Sequence, residues 1–396
     1  MKRKSAATAA AGIATLVVAL ATGTPAMGQG NAIRIGVDTP MSGTYAPIGQ
    51  QVKWGLELAA KEINAGGGVM GRPLQLIYED SEANPAVATQ KAEKLFQVDK
   101  VDFLTGTVNS GATLAVGQVA ERNHRLMATT VSFADSITGD KCSPNVYRVN
   151  ARAGQQSAAL AAWLAKTKPK ARVFFLGPDY EMGRSTVAAF KAAAEQKGAV
   201  TVGEVFAPLG NKDYSPFFGQ IRAARPDVLY TSVAGNDTVR LFSQLDEFGL
   251  LKNLQVVGAS GTVTSQNMGA IEKAAEGFVT GVGYSPEIDT PENHKFVAVF
   301  RATYKTPPDL YGADSYGVLY FYKAAVEKAG STDADKVRTA MADLVWKTPQ
   351  GSKTMRAADH QAMQEMYAVK FTHGEFKIIS KVPAAEAIGP DECKRF

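Results

Sequence analysis

The sequence predicts an α/β protein with two doubly wound lobes. Two observations support this prediction. Strand-like and helix-like segments alternate from residue 32 to residue 129, and a second series of the same kind begins after Asn150. Repeated alternation of strand and helix is typical of parallel sheets with helices on both faces, so two series indicate two sheets. The length of 396 residues also suits two domains.

In the first series, apolar side chains alternate along the strands and recur at helical spacing along the helices. Asn84 followed by Pro85 predicts the start of a helix, because asparagine caps a helix N-terminus and proline suits its first turn. The predicted elements are strands at 33–37, 74–78, 102–105 and 125–129, and helices at 52–63, 85–96 and 112–122.

The second series has the same pattern and is followed by a helix-rich segment. Its predicted strands lie near 172–176, 200–205, 228–232 and 254–257, and its helices near 157–166, 184–197, 216–224 and 238–248. After Tyr284, helices are predicted near 293–304, 315–328 and 334–344. Strands near 366–371 and 376–379 complete the predicted fold.

The N-terminal residues 1–28 have the order of a secretory signal peptide. A basic cluster at residues 2–4 precedes an apolar run at residues 6–21, and small residues surround Pro25. This order predicts cleavage after Ala26 or Gly28. A membrane-spanning helix needs roughly 20 strongly apolar residues, and this Ala-rich run is shorter. No cysteine follows the run, so we expect no lipid anchor and a protein that diffuses freely outside the cytoplasm.

The charge balance argues against nucleic-acid and membrane partners. Of the formal net charge of +5, three units come from the basic cluster at residues 2–4, which leaves +2 for the rest of the chain. So small a charge gives no support for binding to nucleic acid or to a membrane surface.

The only two cysteines of the sequence, Cys142 and Cys393, are expected to form a disulfide, since an isolated pair in an oxidising compartment is seldom left reduced. The bond would close a loop of 251 residues, for which chain entropy sets an upper stabilisation of about 5 kcal/mol. Two distant cysteines and four scattered histidines have no metal-ligand spacing. No metal site and no cofactor are therefore predicted.

The loops that follow the predicted strands hold the candidate binding residues, because ligands of doubly wound folds lie beyond the carboxyl ends of the strands. These loops are rich in hydroxyl, amide and aromatic side chains. In chain order, the candidates are Tyr45, Asn109, Ser110, Val131, Ser132, Tyr180, Asn236 and Ser260.

Ser110 precedes a predicted helix, a position that can bind an anion. A serine and free backbone N–H groups at a helix N-terminus suit a carboxylate, because unpaired donors and the positive end of the helix dipole coincide there. The alternative is that Ser110 only caps its helix, and spacing alone favours that alternative.

Enzyme chemistry has little support in the sequence. It contains no nucleophile elbow, no phosphate loop and no dinucleotide fingerprint. The glycine-rich segment 66–71 lies between a helix and the following strand, where a turn is expected. His360 follows Asp359 in a loop and is expected to be exposed.

Several segments resemble one family of proteins. PMSGTYAPIG at 40–49 and GLELAAKEINAGG at 55–67 resemble the opening of the type I periplasmic solute-binding proteins of ABC importers. The narrower resemblance is to the branch that includes the leucine/isoleucine/valine-binding proteins. GRPL at 71–74, YEDS at 78–81 and DYEMG at 179–183 continue the match, which covers essentially the whole mature chain.

The resemblance implies two lobes joined by a three-strand hinge, with crossovers near Asn150, residues 281–284 and Gln350. The implied organisation begins with a signal peptide at 1–28. The N-terminal lobe would comprise 29–150 and 284–350, and the C-terminal lobe 151–283 and 351–380. Residues 381–396 would form a C-terminal tail.

The resemblance also implies roles for the loop residues. Ser110 matches a serine that holds the ligand carboxylate. Val131 and Ser132 match a loop that offers main-chain groups and a hydroxyl to the ligand. Tyr180 matches an aromatic contact from the second lobe. Tyr45, Asn109, Asn236 and Ser260 complete the predicted binding set.

The chain departs from the amino-acid binders of this family at two places. Ser260 stands where an acidic residue would neutralise the ligand's ammonium, and residues 234–236 lack an aromatic contact of the family. An unpaired buried ammonium is costly. We therefore expect a carboxylate or a neutral polar ligand, with aromatic and hydroxylated acids as candidates.

By resemblance, the protein is expected to be the periplasmic substrate-binding component of an ABC importer. It would clamp a small organic solute and deliver it to inner-membrane permease subunits, as a monomer without a nucleic-acid partner. A branched-chain amino-acid binding protein and a ligand sensor of the same fold are the alternatives. An exported hydrolase, the alternative from another class, would need a nucleophile with a base in reach.

Overall fold

The computed structural model describes Met1 and residues 32–395. Apart from Met1, the predicted signal peptide therefore lies outside the described residues. Two sheets with interleaved helices form the described chain, which confirms the predicted α/β class. Within residues 32–395, no helix has the length and apolar character that crossing a bilayer requires.

The first lobe surrounds an eight-stranded sheet. Its strands are β1 (Ile33–Thr39), β2 (Leu74–Asp80), β3 (Phe103–Thr105), β4 (Leu126–Thr129), β5 (Val146–Arg148), β11 (Val345–Thr348), β12 (Gly351–Arg356) and β13 (Gln361–Met363). Its helices are α1 (Ala46–Ala65), α2 (Pro85–Gln97), α3 (Ser110–Arg122), α8 (Pro291–Tyr304), α9 (Leu310–Ala329) and α10 (Ala334–Met341). The spatial order is β11-β12-β13-β5-β4-β3-β1-β2.

The second lobe surrounds a seven-stranded sheet. Its strands are β6 (Arg172–Pro178), β7 (Val200–Ala207), β8 (Val228–Thr231), β9 (Gln255–Gly258), β10 (Val279–Val282), β14 (Met366–Thr372) and β15 (Glu375–Val382). Its helices are α4 (Ala153–Thr167), α5 (Glu181–Gln196), α6 (Ser215–Ala224), α7 (Asn236–Glu247) and α11 (Ala384–Ala387). The spatial order is β15-β14-β10-β9-β8-β6-β7.

Each sheet has one place where the strand order reverses. In the first lobe, β1 pairs in parallel with both β2 and β3, and in the second lobe β6 pairs in parallel with both β7 and β8. Ligands of doubly wound folds lie beyond the carboxyl ends of the strands at such a reversal. The loops that leave β1, β3, β6 and β8 are therefore the ones placed to form a site.

The third crossover lies further along the chain than the predicted position near Gln350. β12 pairs antiparallel with β11, and β13 pairs in parallel with β5, so residues 351–363 extend the first sheet. The chain passes to the second sheet between β13 and β14. The sequence pattern does not show this, because β11 to β13 are short and carry too few residues for a clear period.

The start of α9 also differs from the predicted helix at 315–328, since α9 begins five residues earlier. Asp309 caps it, and its Oδ1 accepts hydrogen bonds from the N–H groups of Tyr311 at 3.0 Å and Gly312 at 3.2 Å. As a result, Tyr311 lies in the first turn of a helix that reaches the space between the lobes.

The predicted disulfide between Cys142 and Cys393 is present, with a Cα–Cα distance of 5.7 Å. Arg152, next to the first crossover, donates hydrogen bonds to the carbonyls of Ile388 at 2.9 Å and Pro390 at 2.8 Å. The C-terminal tail is thus fixed to the first lobe by a covalent bond and to the start of α4 by Arg152.

The expectation that His360 is exposed is wrong. Its side chain is buried and stacks on Tyr147, with the ring centroids 4.0 Å apart. Its Nδ1 lies 3.2 Å from the carbonyl oxygen of Val146. Burial lowers the pKa of His360 to about 4, so the ring is neutral at physiological pH.

Candidate functional site

Side chains from both lobes meet at the two strand-order reversals. The loops after β1, β3 and β4 contribute from the first lobe, together with the first turn of α9, and the loops after β6 and β8 contribute from the second. They enclose a cavity of about 10 Å³ that is lined by Tyr45, Ile48, Val108, Val131, Phe133, Tyr180, Met182, Ala234 and Tyr311. We call this space the cleft.

Tyr45 and Tyr180 join the lobes across the cleft. Their hydroxyl oxygens lie 2.7 Å apart, and their ring centroids are separated by 6.4 Å. Burial raises the pKa of both hydroxyls, so both are neutral and each can donate or accept. The structure therefore brings together these two residues of the predicted binding set.

The local sequence fixes the position of Tyr180. It directly precedes α5, and Gly183 in the first turn packs against the end of β6. A Cβ atom at Gly183 would lie 1.9 Å from the carbonyl oxygen of Pro178. Only glycine allows this close approach, which turns the chain sharply from strand to helix and directs Tyr180 towards the first lobe.

Main-chain contacts at the rim hold the two lobes against each other. The N–H of Asn236 donates to the carbonyl of Thr44 at 3.2 Å. The preceding Gly235 has φ 63°, and a Cβ atom there would lie 2.5 Å from the same carbonyl oxygen. A residue with a side chain at position 235 would clash with the first lobe, so glycine is required there.

Ser110 is the first residue of α3 and is buried. Asn109, not Ser110, caps this helix, because the Asn109 Oδ1 accepts the N–H of Ala112 at 3.1 Å. The alternative that Ser110 serves only as the cap is therefore wrong. The Ser110 hydroxyl accepts the N–H of Ala134 at 3.3 Å, and the N–H groups of Ser110 and Gly111 bond to no other residue of the described chain.

The loop after β4 carries Val131, Ser132 and Phe133. Val131 and Phe133 line the cleft. The Ser132 hydroxyl instead contacts the Thr113 hydroxyl at 2.5 Å and the carbonyl of Val108 at 3.1 Å, within the first lobe. In this arrangement Ser132 joins two loops of the first lobe, and its predicted contact with a ligand stays a prediction.

Two further residues of the predicted set do not line the cleft. Asn236 has an exposed side chain and contributes its backbone N–H to the rim. Ser260 is buried and lies in the wall of a second, larger cavity, with its N–H donating to Gln156 Oε1 at 3.1 Å. The ligand contacts predicted for both residues stay predictions.

The prediction from the sequence did not include several cleft residues. Phe133 and Tyr311 stack with ring centroids 6.2 Å apart, and they form one wall. The sequence contains a signal for the position of Tyr311. Asp309 is a residue type that caps helices, and it predicts a helix that starts at residue 310 and has Tyr311 in its first turn. Ile48, Val108, Met182 and Ala234 are the other lining residues outside the predicted set.

All residues that line the cleft are uncharged. The buried Asp237 lies near the two tyrosines, and its carboxylate accepts the N–H of Gly210 at 2.7 Å and pairs with Arg240. Its charge is therefore compensated within the second lobe. The cleft offers aromatic faces and tyrosine hydroxyls. Asn109 and Ser110 do not line it, but they follow Val108, which does, at the N-terminus of α3.

The cleft volume sets a condition for binding. A space of about 10 Å³ is close to the minimum for one water molecule, whereas small-molecule sites usually measure roughly 300–1,000 Å³. A solute with an aromatic ring can enter only if the lobes separate or the aromatic side chains move apart.

A family model described as "Periplasmic binding protein" matches residues 32–375. Among curated proteins, the Leu/Ile/Val-binding protein BraC3 of Rhizobium johnstonii is 30% identical over 331 residues, which cover 83% of this chain and 88% of that protein.

Solved structures provide a second comparison. A solute-binding protein of an ABC transporter from R. palustris, in complex with benzoate, has a TM-score of 0.83 and 26% identity, covering 88% of this chain and 96% of that one. A solute-binding protein from Rhodopseudomonas palustris BisB5, in complex with 3,4-dihydroxybenzoic acid, also has a TM-score of 0.83 and 26% identity, covering 89% and 98%.

Proposed function

Because the chain belongs to the periplasmic binding protein family, we propose that it is the substrate-binding component of an ABC importer and that its ligand is a small aromatic carboxylate. Members of this family bind solutes and are not enzymes, in agreement with the absence of catalytic motifs in the sequence.

The observation that carries the proposal is the chemistry of the cleft wall. Four aromatic rings line it, those of Tyr45, Phe133, Tyr180 and Tyr311, and no lining residue is charged. Aromatic rings favour offset or edge-to-face contact with another ring. An aliphatic amino acid would place its ammonium in this wall without an acidic partner, at a high desolvation cost.

The N-terminus of α3 is the proposed site for the ligand's carboxylate. The N–H groups of Ser110 and Gly111 are available there, and the Ser110 hydroxyl lies beside them. Backbone donors and the helix dipole favour an anion at such a position. Hydroxyl substituents on the ligand ring would find the hydroxyls of Tyr45 and Tyr180, which can donate or accept.

Binding would be coupled to movement of the lobes. The ligand would enter while they are apart, and closure would bring Tyr180 and Met182 onto it. Closure around a ligand also excludes water, which strengthens each polar contact, and the closed form is the one that a permease would recognise.

Export and delivery complete the proposal. The signal peptide would direct the chain to the periplasm, where it would act as a monomer and meet inner-membrane permease subunits. The curated relative named for leucine, isoleucine and valine makes a branched-chain amino-acid ligand the second candidate. A sensor of the same fold would bind the same ligand and differ only in its protein partner.

A thermal-shift screen of benzoate, 3,4-dihydroxybenzoate, aliphatic carboxylates and leucine tests the proposal, because a ligand that binds only the native state raises the melting temperature. We expect the aromatic acids to stabilise the protein and leucine to have no effect. Ser110→Ala should reduce affinity for the aromatic acids about tenfold.

Ser143→Ala is a matched control for that variant, since Ser143 also accepts a backbone N–H at 3.3 Å, that of Asn145, but its hydroxyl contacts Glu121 near the C-terminal end of α3 and not the N-terminal end. Stabilisation by leucine with aromatic acids inert would reject the aromatic ligand. An equal loss of affinity in the two serine variants would remove Ser110 from the site.

A further inference from the structure

A second cavity, of about 450 Å³, lies where both lobes meet the second crossover. Val263 and Met268 line it from the loop after β9, Pro308 from the segment before α9, Leu310 from the start of α9, and residues 284–287 from the crossover itself. Its volume falls within the usual range of small-molecule sites. We call this space the hinge cavity.

The hinge cavity is separate from the cleft, because the two share no lining residue. Tyr311 and Phe133 stack between them, and Gly261 packs against both rings. A Cβ atom at Gly261 would lie 1.9 Å from the Tyr311 hydroxyl oxygen. The close packing at Gly261 therefore leaves no room for a side chain beside these two rings.

Several hydrogen-bond donors in the wall of the hinge cavity have no partner among the described residues, whereas its carboxylates all have one. Arg301 is exposed, and within residues 32–395 its guanidinium makes no hydrogen bond and no ion pair. Lys377 and, to a smaller extent, Arg301 lower the pKa of the Glu375 carboxyl in the same wall. The hydroxyls of Ser260 and Tyr284 are buried, with 2% and 3% of each residue exposed, and neither oxygen has a partner in the described chain.

The acidic groups in the same wall are already bound. Asp309 accepts the Ser265 hydroxyl at 3.1 Å as well as the N–H groups at the start of α9. Glu287 and Glu375 both contact Lys377, each at 2.8 Å. The unused donors of the cavity therefore include one guanidinium and the two buried hydroxyls, which suits a ligand with an anionic acceptor.

We propose that the hinge cavity is a second binding site, which takes a small amphipathic carboxylate. The apolar body would lie against Val263, Met268 and Val297, and the carboxylate would bind Arg301. An unpaired guanidinium beside an apolar wall suits this class of molecule, since arginine binds carboxylates with two parallel hydrogen bonds.

Occupation of the hinge cavity would be coupled to the cleft. Its walls come from both lobes, and Ser265 of the second lobe accepts a hydrogen bond from Gln51 of the first at 2.9 Å. The shape of the hinge cavity therefore depends on the position of one lobe relative to the other. A ligand in the hinge cavity would therefore alter affinity in the cleft, and by linkage the effect is reciprocal.

Titration calorimetry with octanoate, in the presence and absence of saturating benzoate, tests this proposal. We expect one octanoate per chain in both conditions, with affinities that differ between them. Arg301→Gln should weaken octanoate binding at least about tenfold and leave binding of the neutral 1-octanol unchanged. Val297→Trp and Met268→Trp, which fill the cavity, should abolish binding of both.

Ser110→Ala is the control in the cleft and should leave octanoate binding in the absence of benzoate unaltered. The proposal is overturned if octanoate does not bind, if benzoate displaces it, or if neither tryptophan variant changes its affinity. Arg301→Gln, Val297→Trp and Met268→Trp alter only the hinge cavity, so their effect on octanoate binding without benzoate tests the proposal even if benzoate is not a ligand of the cleft.

Discussion

The hydrogen bond between Tyr45 and Tyr180 is expected to control how far the lobes close in the absence of ligand. The two hydroxyl oxygens are 2.7 Å apart, and both side chains leave water when the lobes meet. Replacing either tyrosine by phenylalanine leaves the other hydroxyl without its partner, and Tyr45 is the more deeply buried of the two. Such a group costs about 1–3 kcal/mol, whereas in the open form water would hydrate it.

The expected result is a shift of the closed-to-open ratio by about 5- to 150-fold towards the open form. The double variant Tyr45→Phe/Tyr180→Phe should lie closer to the wild type than either single variant, because it leaves no hydroxyl unpaired. Small-angle X-ray scattering measures the change, since opening raises the radius of gyration.

Tyr78→Phe is the matched control. Tyr78 belongs to the first lobe, and its buried hydroxyl has no partner within residues 32–395. Its removal should leave the scattering unchanged. The reasoning is refuted if Tyr45→Phe and Tyr180→Phe open the protein no more than Tyr78→Phe does, or if the double variant is more open than both singles.

Three further predictions concern stability, each measured by chemical denaturation. Replacing Cys142 and Cys393 by serine should lower the free energy of unfolding by about 2–5 kcal/mol, and an unchanged value would show that the bond adds nothing. Lys353→Met should cost about 3–5 kcal/mol, because it leaves the Asp314 carboxylate, 2.5 Å from the lysine Nζ, buried without its cation. The double variant Lys353→Met/Asp314→Leu should recover most of that loss, and an equal loss would contradict the account. The pKa of His360 falls from 6.5 to about 4 on folding, so the unfolded chain takes up the proton first and stability should decline as pH drops through that range, by up to about 3 kcal/mol. His360→Phe should show a smaller decline than the wild type, and identical pH profiles would contradict the assignment.

The sequence predicts the strands and helices next to the cleft, because apolar residues recur with clear strand or helix periodicity in both series. Tyr45, Val131 and Tyr180 follow strands that apolar side chains mark clearly, so their positions at the ends of strands could be predicted. Tyr45 and Val131 follow strands of the first sheet, whose carboxyl ends lie at one edge of that sheet. The approach of Tyr180 from the second lobe is implied only by the family resemblance.

Other parts of the site depend on packing that no local pattern records. α9 is buried over most of its surface, so its apolar residues show little helical contrast, and the predicted start excluded Tyr311. Asn109 and Ser110 are both good caps, and only the backbone conformation decides between them. Ser260 lies in the predicted loop, yet the contact between Gly261 and Tyr311 separates it from the cleft.

Isothermal titration calorimetry of the wild type with 3,4-dihydroxybenzoate and with leucine tests the central claim most directly. The account predicts one site per chain for the aromatic acid, no heat from leucine, and a loss of affinity for the acid in Ser110→Ala but not in Ser143→Ala. Binding of leucine at one site per chain, with no heat from the aromatic acid, would contradict it.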